Sequence, residues 1–139
     1  RDWCCGFRIW QEVIEGLPNR VVGDTPGLSE PSKTTEGLVK EYQSSRIFLN
    51  TSTISPVPTA LLEAMACGCA VVSTSTCMIP EINDPKQLKQ YVIDLLNDED
   101  LAIEMGKKAR ETVLKKFSLD SFIKTWNKVF GMTSNFPVW

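Results

Sequence analysis

Residues 46–82 decide the fold: Arg46-Ile-Phe-Leu-Asn-Thr-Ser-Thr-Ile-Ser-Pro-Val-Pro-Thr-Ala-Leu-Leu-Glu63-Ala-Met-Ala-Cys-Gly-Cys-Ala-Val-Val-Ser-Thr-Ser-Thr-Cys-Met-Ile-Pro-Glu81-Ile82. The stretch reads as strand, polar loop, short apolar helix, strand and turn. Ile47-Phe-Leu49 is a continuous apolar run of the kind that suits a parallel strand covered on both faces. Pro58 to Cys67 forms the helix, with Gly68 as its C-terminal cap, and Ala70-Val-Val-Ser73 is the next strand. Strand, helix and strand at this spacing predict a right-handed βαβ unit. One acid, Glu63, stands among Leu61, Leu62, Ala64, Met65 and Ala66. A carboxylate buried among such neighbours needs a polar partner.

Working outward, Phe7, Trp10, Val13, Ile14 and Leu17 recur at helical spacing, which predicts an amphipathic helix over 7–16 ended by Gly16 and Pro18. Arg20-Val-Val-Gly23 is a short strand candidate, and Asp24-Thr-Pro-Gly27 a turn. A helix over 35–44 places Leu38, Val39 and Tyr42 on its buried side. Asp84 followed by Pro85 opens another helix, with Leu88, Val92, Leu95 and Leu96 on its face. A helix over 99–116 carries Leu101, Ile103, Met105, Val113 and Leu114. Ser118 caps the last, whose Phe122, Trp126, Val129 and Phe130 are spaced for a buried stripe. Core packing is therefore the expectation for Trp10 and Trp126. The basic run Lys107, Lys108, Arg110, Lys115 and Lys116 reads as a solvated helix face.

At 139 residues the chain is one domain by length, able to bury roughly two-thirds of its unfolded surface. Fifteen basic and 17 acidic residues leave a formal charge of −2, which offers no basic field for nucleic acid. No apolar run approaches the ~20 residues of a membrane span. The five cysteines (Cys4, Cys5, Cys67, Cys69, Cys77) are odd in number and read as free thiols in a reducing compartment. With no histidine in the chain, Ser-His-Asp and Cys-His catalysis are excluded within it. Asn50-Thr-Ser52 fits the glycosylation sequon and is read as a chance match.

Leu62-Glu-Ala-Met-Ala-Cys-Gly-Cys-Ala-Val-Val72 resembles the donor-sugar site of the retaining GT-B glycosyltransferases (glycosyl transferases group 1 type), whose pattern is acid, Gly-Phe-Gly, three or four residues, then Leu-Glu-Ala-Met-Ala-x-Gly-x-Pro-Val-Val. More loosely, the resemblance runs from about residue 20 to about residue 130. It implies an α/β fold: a Rossmann-like, doubly wound parallel sheet with helices on both faces, the C-terminal half of a GT-B fold. Residues 1–130 would be a nucleotide-sugar-binding domain, N-terminally truncated, and 131–139 an irregular tail. A strand would precede the first helix, and a longer Gly-rich loop would stand where Ile82-Asn83 lies.

The resemblance further implies that Glu63 accepts from both ribose hydroxyls of the donor. In open parallel sheets ligands bind at the strands' C-terminal ends, and the amides that open the Glu63 helix suit a diphosphate. Thr59 shares a helix face with Glu63. The family's first acid falls at Ser55, which would hydrogen-bond the sugar ring without charge; Glu63 and Ser55 are the candidate catalytic residues. Ser55-Pro-Val-Pro58 replaces acid-Gly-Phe-Gly. Pro56 and Pro58 lack amide donors, whereas Val57 keeps its own. Ser52 and Arg1 complete the donor-binding candidates, Arg1 standing near where the family holds the diphosphate with an Arg and a Lys. Asp24-Thr-Pro-Gly27 could approach a base but reads more simply as a turn, and Pro80-Glu81 matches a family Pro-Glu that shapes a loop.

The implied reaction transfers a sugar from a nucleoside diphosphate to a sugar, lipid or protein acceptor held by a missing N-terminal Rossmann-like domain. It uses no cofactor and no metal. Retention would come from same-face attack assisted by the leaving phosphate, and the domain alone would bind donor without turnover. The expected location is cytoplasmic, or peripheral at a membrane through the missing domain. Alternatives are a nucleotide-sugar epimerase or phosphorylase on the same fold, and a degenerate sugar-nucleotide or protein-binding module. A response-regulator-like domain would want clustered acids at strand ends, which the chain lacks.

Overall fold

The structure, a computed structural model, describes residues 5–23, 25–54, 58–74 and 84–131. In chain order its elements are α1 (Phe7–Ile14), α2 (Thr35–Ser44), β1 (Ile47–Asn50), α3 (Thr59–Ala66), β2 (Ala70–Ser73), α4 (Pro85–Asn97), α5 (Glu99–Lys116) and α6 (Leu119–Val129). β1 and β2 pair in parallel, Ile47 against Ala70 and Asn50 against Ser73. The expected α/β architecture with parallel strands is what forms.

The pleat divides the strands' side chains between two apolar faces. Ile47, Leu49, Ala70 and Val72 join a core with Val13 of α1, Leu88, Val92 and Leu95 of α4, and Ala102 of α5. Phe48 faces Tyr42 of α2 edge-on at 6.0 Å. Helices thus lie on both sides of the sheet, which is why neither strand alternates polar with apolar.

Local chemistry sets the helix starts. Thr34, Asp84, Asp98 and Ser118 each accept a backbone amide of the helix that follows, satisfying donors that a helix leaves without intrahelical partners. α3 ends differently: its C-cap amide, on Cys67, returns to Glu63 O, and the Arg110 guanidinium of α5 donates to the carbonyl of Ala66. α1 starts from Gly6 at φ +63°, where an added Cβ would lie 1.9 Å from Thr51 O. Only glycine fits that approach.

Several expectations are corrected. Arg20–Gly23 is no strand but a single parallel bridge, Val22 to Glu30; Pro31, directly after Glu30, has no amide with which to extend a ladder. α1 stops at Ile14, before Gly16. On α5 the buried residues are Ala102, Gly106 and Val113, while Leu101, Ile103 and Leu114 are exposed. The larger side chains stay outside because α5 approaches too closely to seat them. The aromatic stripe on α6 is not buried: Phe122 is 58%, Trp126 44% and Phe130 66% exposed. Its rings stack on one another instead, Trp126 on Phe130 at 5.3 Å. Helical spacing marks an apolar face; it does not supply a neighbour for it. Trp10 is half-buried, and the basic run on α5 is exposed throughout, with Lys108 paired to Glu104. Trp3, Trp139, Cys4, Cys77 and the 131–139 tail beyond Gly131 lie outside the described residues.

Gly106 shows how tight that approach is. A Cβ there would come within 2.0 Å of the Gly68 carbonyl oxygen. Alanine normally favours a helix interior by about 0.5–1 kcal/mol over glycine. Here Gly106→Ala is expected to destabilise by about 1–3 kcal/mol or more through overpacking, read as a lowered urea midpoint; an unchanged or raised midpoint would contradict the close contact.

Candidate functional site

Parallel pairing brings the C-terminal ends of β1 and β2 side by side. A polar collar is built there. Asn50 is buried and donates from Nδ2 to Ser73 Oγ at 2.9 Å, while its Oδ1 accepts the Ser52 amide at 3.3 Å. Thr74, 2% exposed, donates its hydroxyl to Ser52 O. Thr51 donates to Cys5 O at 3.0 Å. Among the described residues no buried side-chain polar atom lacks a partner. The collar therefore fixes where the chain leaves β1 and starts toward α3. It also occupies Asn50, in keeping with the chance reading of the sequon.

α3 follows with Pro58 at its N-cap, which supplies no side-chain cap. Leu61 and Leu62 donate back to Pro58 O at 3.0 and 3.3 Å. Thr59 and Ala60 are exposed, so the first turn is open to solvent. Glu63, one turn on, is exposed as well. This corrects the expectation of a carboxylate surrounded by apolar side chains. Ala64 takes the core-facing position of α3 at 0% exposure, and one residue's rotation carries Glu63 out of the core.

The polar partner expected for Glu63 is present nonetheless. Tyr42 Oη donates to Glu63 Oε2 at 3.1 Å. Burial, reinforced by the hydrogen bond and the charge of Glu63, pushes the Tyr42 phenol well above its usual range, so it remains a donor through physiological pH. Tyr42 is itself held: its carbonyl accepts from Cys69 Sγ at 3.2 Å and from the Ser45 amide at 3.0 Å. Burial pushes the Cys69 thiol up from its ordinary 9.0 to about 11, with Cys67 adding to the rise. Cys69 is thus a buried structural thiol, as expected of it.

Of the sequence-derived candidates, Pro58, Thr59 and Glu63 come together on α3, and Ser52 lies in the collar below. Ser55, Pro56, Val57 and Arg1 lie outside the described residues, as do Asp24, Pro80 and Glu81. Sequence reasoning missed Asn50, Ser73, Thr74 and Tyr42 as parts of this region. A polar residue closing an apolar strand, twice over at Asn50 and Ser73, is the signal that could have found the collar. Tyr42 gave none beyond its helical phase. Among the described residues no group of three His, Cys, Asp or Glu is gathered closely enough to hold a metal ion, and no helix is long and apolar enough to cross a membrane.

Comparison with known proteins supports the fold and gives the family. The profile of the family described as glycosyl transferases group 1 matches residues 31–112. The chain is 32% identical over 82 residues to the N-acetyl-alpha-D-glucosaminyl L-malate synthase of Bacillus anthracis, covering 50% of the chain and 22% of that enzyme. It is 36% identical over 50 residues to the poly(ribitol-phosphate) alpha-N-acetylglucosaminyltransferase of Staphylococcus aureus (strain COL), covering 36% of the chain and 10% of that protein. A crystal structure of a mutant of S. aureus TarM, in complex with fondaparinux, alpha-GlcNAc-glycerol and UDP, shares the fold with a TM-score of 0.67 at 18% identity, covering 91% of the chain and 32% of TarM. The chain therefore spans a third or less of each of these proteins.

The buried thiol gives a pH test. Cys69 contributes its full stabilisation below the unfolded thiol value of 9.0 and loses it as pH rises through about 11, because the unfolded chain ionises first. Tyr42 acts in the same direction. Urea midpoints taken at about pH 8 and about pH 10.5 should fall less between the two for Cys69→Ala than for the native chain; equal falls would show the thiol to be solvated.

Proposed function

The chain belongs to the glycosyl transferases group 1 family, and on that premise we propose that it forms the nucleotide-sugar-binding part of a retaining GT-B glycosyltransferase. The observation that carries the reading is the placement of Glu63 one turn behind the uncapped start of α3, at the C-terminal ends of paired parallel strands. Amides at a helix start, backed by the positive end of the dipole, favour a diphosphate. A carboxylate beside them favours the two hydroxyls of a ribose, which a charged acceptor binds more strongly than a neutral one. Thr59 would add a hydroxyl near the phosphates, and Ser55 would meet the sugar ring.

In this reading the departing diphosphate is stabilised at the helix start. The acceptor hydroxyl attacks the anomeric carbon from the face the leaving phosphate vacates as the bond to the diphosphate breaks, and its proton passes to the departing phosphate oxygen, which requires no basic side chain from this region. No cofactor or metal is part of the proposal. The acceptor, a sugar, lipid or protein, would be held by a Rossmann-like N-terminal domain outside the 139 residues. TarM was crystallised with UDP, and both curated relatives are named for N-acetylglucosaminyl chemistry, so UDP-N-acetylglucosamine is the first donor to assay. A second reading, a module that has lost donor binding, draws on the hydrogen bond from Tyr42 that Glu63 accepts without a ligand and on the amide absent at Pro58.

Calorimetric titration with UDP separates the two. Glu63→Gln keeps the shape and removes the charge, and should weaken UDP by about tenfold or more, the scale of one charge-assisted hydrogen bond. Equal affinities for native chain and variant would overturn the role given to Glu63.

A further inference from the structure

We propose that Tyr42 is a positioning residue for the nucleotide, setting the Glu63 carboxylate in the orientation that accepts the ribose hydroxyls. The inference rests on the donor-site reading above and extends it to a residue on a different helix, which lies outside the Leu62–Val72 motif.

Glu63 projects from the exposed side of a two-turn helix. Left alone, such a side chain samples many rotamers, and freezing it on a ligand costs conformational entropy. Tyr42 removes much of that freedom beforehand. Its hydroxyl holds Oε2 at 3.1 Å. One such bond uses one of about four acceptor positions on the carboxylate, leaving the others for a pair of vicinal hydroxyls.

The donor itself is rigid. The Tyr42 ring is half-buried and edge-on to Phe48 of β1 at 6.0 Å. Its carbonyl is tied to the Cys69 thiol at the start of β2. Phe48 lies in β1 and Cys69 directly precedes β2, the strand pair that also carries the collar. The phenol is thereby referenced to the same sheet that positions the start of α3, and the two ends of the ligand are registered against one frame. A hydrogen bond from a half-buried phenol to an exposed carboxylate adds little to folding stability, so its main consequence falls on what Glu63 can do next.

The test measures UDP and 2′,3′-dideoxy-UDP binding to the native chain, Tyr42→Phe, Glu63→Gln and the double variant. The native chain should prefer UDP. Tyr42→Phe should cut that preference roughly three- to tenfold and leave the dideoxy affinity unchanged. In the Glu63→Gln background, Tyr42→Phe should have little further effect. If Tyr42→Phe weakens both ligands equally, or changes neither, while Glu63→Gln abolishes the preference, Tyr42 does not position the carboxylate and the donor-site reading stands. If Glu63→Gln also leaves the preference intact, or the native chain does not bind UDP, the donor-site reading fails and the role of Tyr42 fails with it. Retention of the native thermal midpoint by Tyr42→Phe guards against a folding defect, and the ratio of the two ligands is insensitive to a fraction of unfolded protein.

Discussion

The parallel pairing of β1 with β2 is the constraint from which the candidate site follows. Parallel neighbours cannot be joined by a tight turn. The chain must leave the C-terminal end of β1, travel back along the sheet, and re-enter at the start of β2. α3 performs that return. Its N-terminus is therefore compelled to lie beside the strands' C-terminal ends, and its eight residues, about 12 Å of rise at 1.5 Å each, roughly match the length of the short strands. The open first turn and Glu63 are consequences of topology before they are features of chemistry.

Small residues let the second layer close over this unit. Gly106 of α5 sits against the Gly68 carbonyl, and Arg110, one turn later, caps the carbonyl of Ala66. Together they fix the C-terminal end of α3 from outside, while the Asn50, Ser73 and Thr74 collar fixes the approach to its N-terminal end from below. Both ends of a short helix, marginal by itself, are thus held by tertiary contacts.

Most of the element pattern was legible because it rests on local physics. The caps at Asp84 and Ser118, the glycine after α3, and the apolar runs at Ile47 and Ala70 each have a chemical cause within a few residues. What was not legible depended on partners. The spacing of Phe122, Trp126 and Phe130 marks a face but not its occupant, and Arg20–Gly23 has strand composition but, among the described residues, only the one bridge to Glu30 beside it. On α5 Ala102 and Gly106 are buried while Leu101 and Leu114 are exposed, because available space, which a hydrophobic pattern does not record, decides what the core takes. The site divides in the same way. The motif around Glu63 is continuous in the chain, whereas the Tyr42–Glu63 and Asn50–Ser73 bonds join residues 21 and 23 positions apart, and a polar strand end marks Asn50 and Ser73 without saying that they pair.

The exposure of Glu63 changes the energetic argument for its role without removing it. A carboxylate buried in an apolar helix would demand compensation in the folded chain itself. An exposed one keeps water on the oxygen positions that Tyr42 does not fill, and under the proposed reading its desolvation is deferred until a ligand covers it. Two vicinal hydroxyls would then replace water as donors, and Tyr42 is already in place as a third. Because the phenol is kept neutral by its burial and by the charge it faces, it cannot compete for a proton or repel the carboxylate. The acid is thus held through one oxygen by Tyr42, and under the proposed reading the strength of the arrangement depends on how little Glu63 must move when a ligand arrives.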